Sequence, residues 1–344
     1  MAVISSNGTG GGNWSLITTW AGGVLPDNTL DDVIIVDGDT VYINSGDQCK
    51  SLTVQSGGTY DGQGNPLQIN GENGAGYAVD IDGTINDTDT DLDIRTAGTT
   101  LVDLVPSSGT IRDLTINDDE AIVRNVGSPT ISGDLTVTDG TFKNNTGTDN
   151  LTVTGDVLIS DGGRLEGENN IGTSQFNTFG SLTIASGGTY WATSGTTTIT
   201  GVRAGGGNMM WDNQGGTFTH NKGVVTFTDN DNSNVNENAF YDLDVNMSSA
   251  SYDFQWNDVS GGALKIYNNL TITRGDFEPS TAGDTLDIYG ITLIKADGEF
   301  NADKNQTGII THHGGIVLEG GTYHVEDGAT VNTSGIRNVG GTIS

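Results

Sequence analysis

Apolar and polar residues alternate along this chain in short runs, and each run closes on a glycine-containing turn followed by a large side chain. SLTVQSGGTY at 51–60 and SLTIASGGTY at 181–190 are nearly identical. Looser copies are DLTVTDGTF at 134–142, VLISDGGRL at 157–165, LTITRGDF at 270–277, ITLIKADGEF at 291–300 and IVLEGGTY at 316–323, and a further GGTF ends at Phe218. In Leu182-Thr183-Ile184 the two aliphatic residues point to one face and the threonine to the other, because successive side chains of a strand alternate. Tyr190 then returns a large apolar anchor after the turn at Ser186-Gly187-Gly188.

The last residues of the units set a period. Phe142 to Leu165 is 23 residues, Leu165 to Tyr190 is 25, Tyr190 to Phe218 is 28, and Phe277 to Phe300 and Phe300 to Tyr323 are 23 each. The 59 residues between Phe218 and Phe277 divide into two units of that size, and the 82 between Tyr60 and Phe142 leave room for three or four poorly matched ones. One such unit buries too little to fold alone; stacked units share an interior and pair their backbones. Sandwich domains repeat near 100 residues instead. The expectation is an all-β chain, a parallel β-solenoid (β-helix) with irregular coils of about 23–30 residues and about 12–14 coils in all. Residues 1–48 are read as an N-terminal capping or attachment segment and 49–344 as the solenoid, with an irregular insertion near 201–213.

Composition agrees with strands and tight turns. Of 344 residues 53 are Gly, without a collagen-type period, and Thr, Asn and Asp are also poor helix formers. The balance is strongly acidic, 44 Asp+Glu against 13 Lys+Arg for a net charge of −31, and only nine of the acids are Glu. Aspartate suits turns because its short carboxylate bonds nearby backbone N–H groups. Nucleic acid is excluded as a partner, since neutralising phosphates needs a basic face that 13 scattered cations do not make. The single Cys49 forbids an intrachain disulfide framework. No apolar stretch of membrane-spanning length occurs, so no membrane span is expected. The opening MAVISSNGTGGGNWS lacks the basic and apolar regions of a Sec-type signal. Two routes fit it: a leader removed and replaced by Met, or release inside a virus particle by lysis.

Two stretches resemble a known group. Gly223, Val225, Phe227, Phe240, Tyr241, Leu243, Val245, Leu270, Ile272, Gly275 and Phe277 carry a G-x-V-x-F … F-Y-x-L-x-V … L-x-I-x-x-G-x-F pattern similar to that of β-helical surface proteins of bacteria and their phages. The N-terminal Trp14, Trp20, Gly22, Gly23 and Pro26, ahead of Val33–Val36 and the Asp37-Gly38 turn, resemble the first segment of such proteins. The resemblance implies a fold and a surface habit. Met1 without a recognisable leader tilts the expectation toward the virion branch: a capsid decoration or a tail fibre- or spike-like protein that self-associates, with a homotrimer and contacts to other virion proteins implied by the likeness alone. Neither a heptad segment nor a distinct trimerisation domain is present, which puts a compact decoration on a level with a fibre. A bacterial cell-surface adhesin, extracellular rather than on a virion, is the alternative location.

Candidate chemistry is sparse. Asp87, Asp89 and Asp91 fit the first three ligand positions of an EF-hand-like Ca²⁺ loop, but the sixth position is Leu92 and the twelfth Gly98, where Gly and Glu are wanted. The EF-hand motif fails, a looser structural Ca²⁺ site stays open, and a solvated edge is the simpler reading. No other cofactor is expected. Trp14 and Trp20 are read as a cap over the exposed edge of the first coil, with docking to a partner as the second role. Trp191, Trp211 and Trp256 could each offer a platform for a host-surface glycan, and Trp211, in the irregular insertion, is the one expected to be most exposed; packing is the simpler reading for all three. Histidines 312, 313 and 324 are expected on the surface. Pairs such as Glu166/Glu168 and Asp242/Asp244 are no more than such an acidic chain produces by chance. A catalytic role is not expected; polysaccharide hydrolysis or lysis is the runner-up.

Overall fold

The structure is a computed structural model. It describes all residues except 1, 28, 87–89, 107, 145, 147, 168–174, 257–261, 280–284, 303–307 and 326–328. The chain is a β-solenoid of about 12 turns, as its repeats predict. Two single-turn 3-10 elements, Ile17–Thr19 and Ala21–Gly23, are the helical pieces among the described residues. The chain divides into two compact units: Met1–Glu168 with Ala185–Tyr190, and Asn169–Ile184 with Trp191–Ser344.

In the first unit the stack is under way from the third residue. Val3–Ser5 pairs in parallel with Asp32–Ile35, and that strand pairs with Ser51–Val54. A second ladder joins Gly11–Asn13, Thr40–Tyr42, Thr59–Asp61 and Thr84–Asn86. Register places like on like. Leu67, Leu92, Leu114, Leu135 and Val157 form one interior column, and Cys49, Ile69, Ile94, Ile116, Val137 and Ile159 form the column two residues along. Every member of both columns is buried. The threonines and aspartates between them face outward, the strand period expected of Leu-Thr-Val runs.

Corners rest on two devices. Gly109 has φ 81°, and a Cβ there would collide with the Ile85 carbonyl of the coil above, so only glycine lets the turn approach. Carboxylates meanwhile accept the backbone N–H of the next coil. Asp113 Oδ1 accepts from Asp134 N at 2.7 Å, and Asp134 Oδ1 from Asp156 N at 2.7 Å. Other aspartates accept N–H groups inside their own turns, as Asp47 does from Asn44 N and Asp149 from Thr146 N, satisfying groups that a turn leaves without a ladder partner.

The second unit has the same parallel ladders around a bulkier interior. Phe179, Ile199, Phe227, Val245, Ile272, Ile294 and Leu318 form one column. Phe254, Phe277, Phe300 and Tyr323 form another, with successive centroids 5.7, 5.3 and 4.9 Å apart. A separate ladder runs through Ala239–Phe240, Ala263–Ile266, Thr285–Ile288, Ile309–His312 and Thr330–Thr333. Here too an amide continues the corner device: Asp242 Oδ1 accepts from Asn269 N, and Asn269 Oδ1 accepts from Ile291 N.

Candidate functional site

The N-terminal lobe is built around two tryptophans. Trp14 and Trp20 lie edge to face, centroids 5.0 Å apart, and the Trp20 indole N–H donates to the Trp14 carbonyl at 2.7 Å. Trp14 N donates to the Tyr42 carbonyl, which ties the pair to the neighbouring coil. Asp39 fixes the preceding loop by accepting from Gly8 N and Gly10 N, both at 2.7 Å, and these bonds with that of Ser6 outweigh burial and hold its carboxyl below the usual range. Both indoles are buried, whereas Leu16, Ile17, Val24, Leu25 and Leu30 around them are exposed. The surface of the lobe is thus made by these aliphatic side chains and the polar residues between them, with the indoles beneath.

Of the three candidate calcium ligands, Asp87 and Asp89 lie outside the described residues. Asp91 sits on the strand Thr90–Ile94 and forms a 2.6 Å ion pair with Arg112. Burial raises its carboxyl despite that guanidinium. Asp229 accepts from Ser233 Oγ at 2.6 Å and closes a turn.

Trp211 is not the exposed platform that its irregular insertion suggests. The insertion ends in the strand Met209–Asn213, and the indole lies inside the second unit against Phe218, Phe227 and Phe240, at 4.7, 6.3 and 5.7 Å, with no surface left to solvent. Residues 201–213 leave the coil and rejoin it, and the return is pinned by Arg203 to Asp212 at 2.9 Å. Trp256 is buried as expected and donates to the Glu237 carbonyl.

The histidines also need correction. His312 is fully buried, not on the surface. Its ring nitrogens meet Thr292 Oγ1 at 2.6 Å and Tyr323 Oη at 2.9 Å, and burial lowers its pKa to about 4. Parity gave the signal: Ile310 is an inward position, so His312 two residues on is inward too. His313 faces out and stacks on Tyr289 at 4.7 Å with planes 6° apart. Tyr289 in turn lies 6.0 Å from Tyr267, and His220 meets Tyr267 at 5.3 Å. The planes of Tyr267 and Tyr289 are 10° apart. Tyr267 and Tyr289 each keep 46% of their surface in water.

A second outward feature lies on the strands Asp253–Trp256, Leu270–Pro279 and Thr292–Ala302. Register aligns Asp253, Asp276 and Glu299 on successive coils, and Glu278 stands beside them. Carboxylate oxygens of Asp253, Asp276 and Glu278 lie within 4.8 Å of one another. Burial, with the charges of Glu278, Glu299 and Asp253, raises Asp276 to about 7. Its Oδ2 accepts from Asn301 and its Oδ1 is buried without a hydrogen-bond partner. Acidity alone argues for a cation at this group, and none is assigned to it. Sequence reading missed the cluster although its signal was present: the residue before the aromatic is Asp, Asp and Glu in three consecutive repeats.

No family model, curated protein or solved structure matches the chain. Among the described residues no helix is long and apolar enough to cross a membrane.

Proposed function

We propose that this protein is a non-catalytic structural component of a virion exterior, a solenoid that decorates a capsid or forms part of a fibre or spike and associates with other copies of itself. The observation that carries the reading is the N-terminal lobe, where Val3, Leu16, Ile17, Val24, Leu25 and Leu30 are 42–61% exposed within the first 30 residues. Six exposed aliphatic side chains within 30 residues of a chain with net charge −31 offer an assembly contact an apolar surface. The use of aspartates as backbone acceptors at corners supports a structural rather than a chemical role for the acidity. Cryo-electron microscopy of native particles tests the reading. Solenoids in symmetric copies, docked through the lobe, are expected; free monomers or chains anchored in a cell envelope would overturn it in favour of the adhesin.

A second reading, contact with a host-surface glycan, is favoured by the half-exposed ladder of Tyr267, Tyr289 and His313. Exposed aromatic faces attract the polarised C–H groups of sugars through their negative quadrupole. Glycan-array binding lost in a Tyr267→Ala/Tyr289→Ala double variant would support it, and no binding by the wild type would remove it.

A further inference from the structure

The outward carboxylates of the second unit gather more acids around one group than the corner aspartates do. Asp276 is central. From its own strand Arg274 and Glu278 share the face, and Arg274 is directed to Asp297 at 3.4 Å. From the coil before comes Asp253, held by Asn232. From the coil after come Glu299 opposite Asp276, Asp297 opposite Arg274, and Lys295, whose charge acts on Asp244 further along the sheet. One coil further on is His324, bonded to Ser344 Oγ. The immediate surroundings of Asp276 are thus three acids, with the nearby guanidinium engaged elsewhere and amides of Asn301 and Gln255 as the available donors.

Parallel register forces this arrangement. The backbones of neighbouring coils cannot separate by more than about 4.8 Å without breaking the ladder, so the carboxylates cannot move apart to relieve their repulsion. Two carboxylates that close favour sharing one proton over ionising together. We propose that Asp253, Asp276 and Glu278 form a proton-dependent clasp, in which one proton held on Asp276 keeps the two coils bearing these acids closed and its loss loosens those coils locally. The unpartnered Oδ1 of Asp276 is the position that a carboxyl proton would occupy. The pKa of Asp276, raised to about 7 by burial and the neighbouring acids, places the transition near neutrality. Its sign follows from linkage: a carboxyl that binds its proton more tightly when folded contributes stability in acid, and that contribution is lost as pH rises through the folded value.

Hydrogen exchange of the full chain, corrected for intrinsic rates and compared at about pH 6 and about pH 8.5, tests the clasp. Peptides covering Asp253–Trp256, Leu270–Pro279 and Thr292–Ala302 should lose protection at the higher pH by about tenfold, the factor equivalent to one unit of pKa, whereas Leu135–Asn144 in the first unit should not change. Asp276→Asn should remove the pH dependence and keep the acid level of protection. Glu278→Gln, which removes a neighbouring charge but leaves the carboxyl, should move the midpoint to lower pH; a merely structural role for Glu278 would not move it. Equal protection at both pH values, or a pH dependence that survives Asp276→Asn, would overturn the proposal. So would loss of protection at high pH that added Ca²⁺ alone restores, since the group would then be a cation site.

Discussion

The two units build the same parallel ladder around different interiors. In the first, columns such as Leu67-Leu92-Leu114-Leu135-Val157 are aliphatic, and the neighbouring column runs from Cys49 to Ile159 without a ring. In the second, Phe254, Phe277, Phe300 and Tyr323 stack one per coil, and Trp211 gathers three further phenylalanines around it. The acids divide by position rather than by unit. Asp113 and Asp134 of the first unit each give an oxygen to a backbone N–H group, while Asp253, Asp276 and Glu299 of the second lie opposite one another on successive coils, as Asp80 and Asp103 of the first also do. A carboxylate at a corner is a backbone acceptor and a carboxylate in a face column is a neighbour to its own kind. The difference shows that position in the coil, more than residue type, decides whether the acidity of this chain stabilises or strains it.

The comparison can be broken most directly in the interiors. Phe277→Ala should cost about 3–5 kcal/mol, since it removes a ring touched from both sides and the fixed coil spacing prevents collapse. Ile116→Val in the aliphatic column should cost about 0.5–1.5 kcal/mol. Denaturant unfolding of both variants checks this, and equal losses would mean that the columns do not differ in how they carry load.

Next in size is a pH effect of opposite sign to the clasp. His312 binds its proton less tightly folded, at about 4, than at its ordinary value of 6.5. The unfolded state therefore takes up more protons across that window, and stability should fall as pH drops from 6.5 towards 4. His312→Gln should flatten this limb of the stability curve. Thermal unfolding across the window distinguishes the two groups, because Asp276→Asn should leave that limb in place.

The smallest effects belong to the corner. Asp134→Ala should cost roughly 0.5–1 kcal/mol by removing the acceptor of Asp156 N, while Asp134→Asn, which keeps an oxygen there, should change stability by less than about 0.5 kcal/mol. A larger loss for the asparagine would show that charge rather than acceptance matters at the corner.

Where alternation is unbroken, the fold could be read before any coordinates. Leu52, Val54 and Tyr60 of the 51–60 repeat are all buried, with Gly57 at positive φ in its turn. Legibility failed where alternation was interrupted. Residues 201–213 carry too many glycines for parity to be followed, so nothing local marked Trp211 as a core residue. His312 was readable in principle but obscured by its neighbour His313, because two adjacent histidines invite one assignment while a strand gives them opposite ones. The carboxylate cluster is a property of register between coils. It emerges only when the repeats are laid over one another from their aromatic residues.

The interior column that begins at Cys49 has a practical consequence. The protein holds a single thiol, fully buried and with its ionisation pushed far up by burial beside Ile69. A thiol reagent can reach it only when that coil opens. The rate of its labelling is then a stopwatch built into the sequence, able to time how often the stack parts at one known rung while the rest of the chain carries no competing signal.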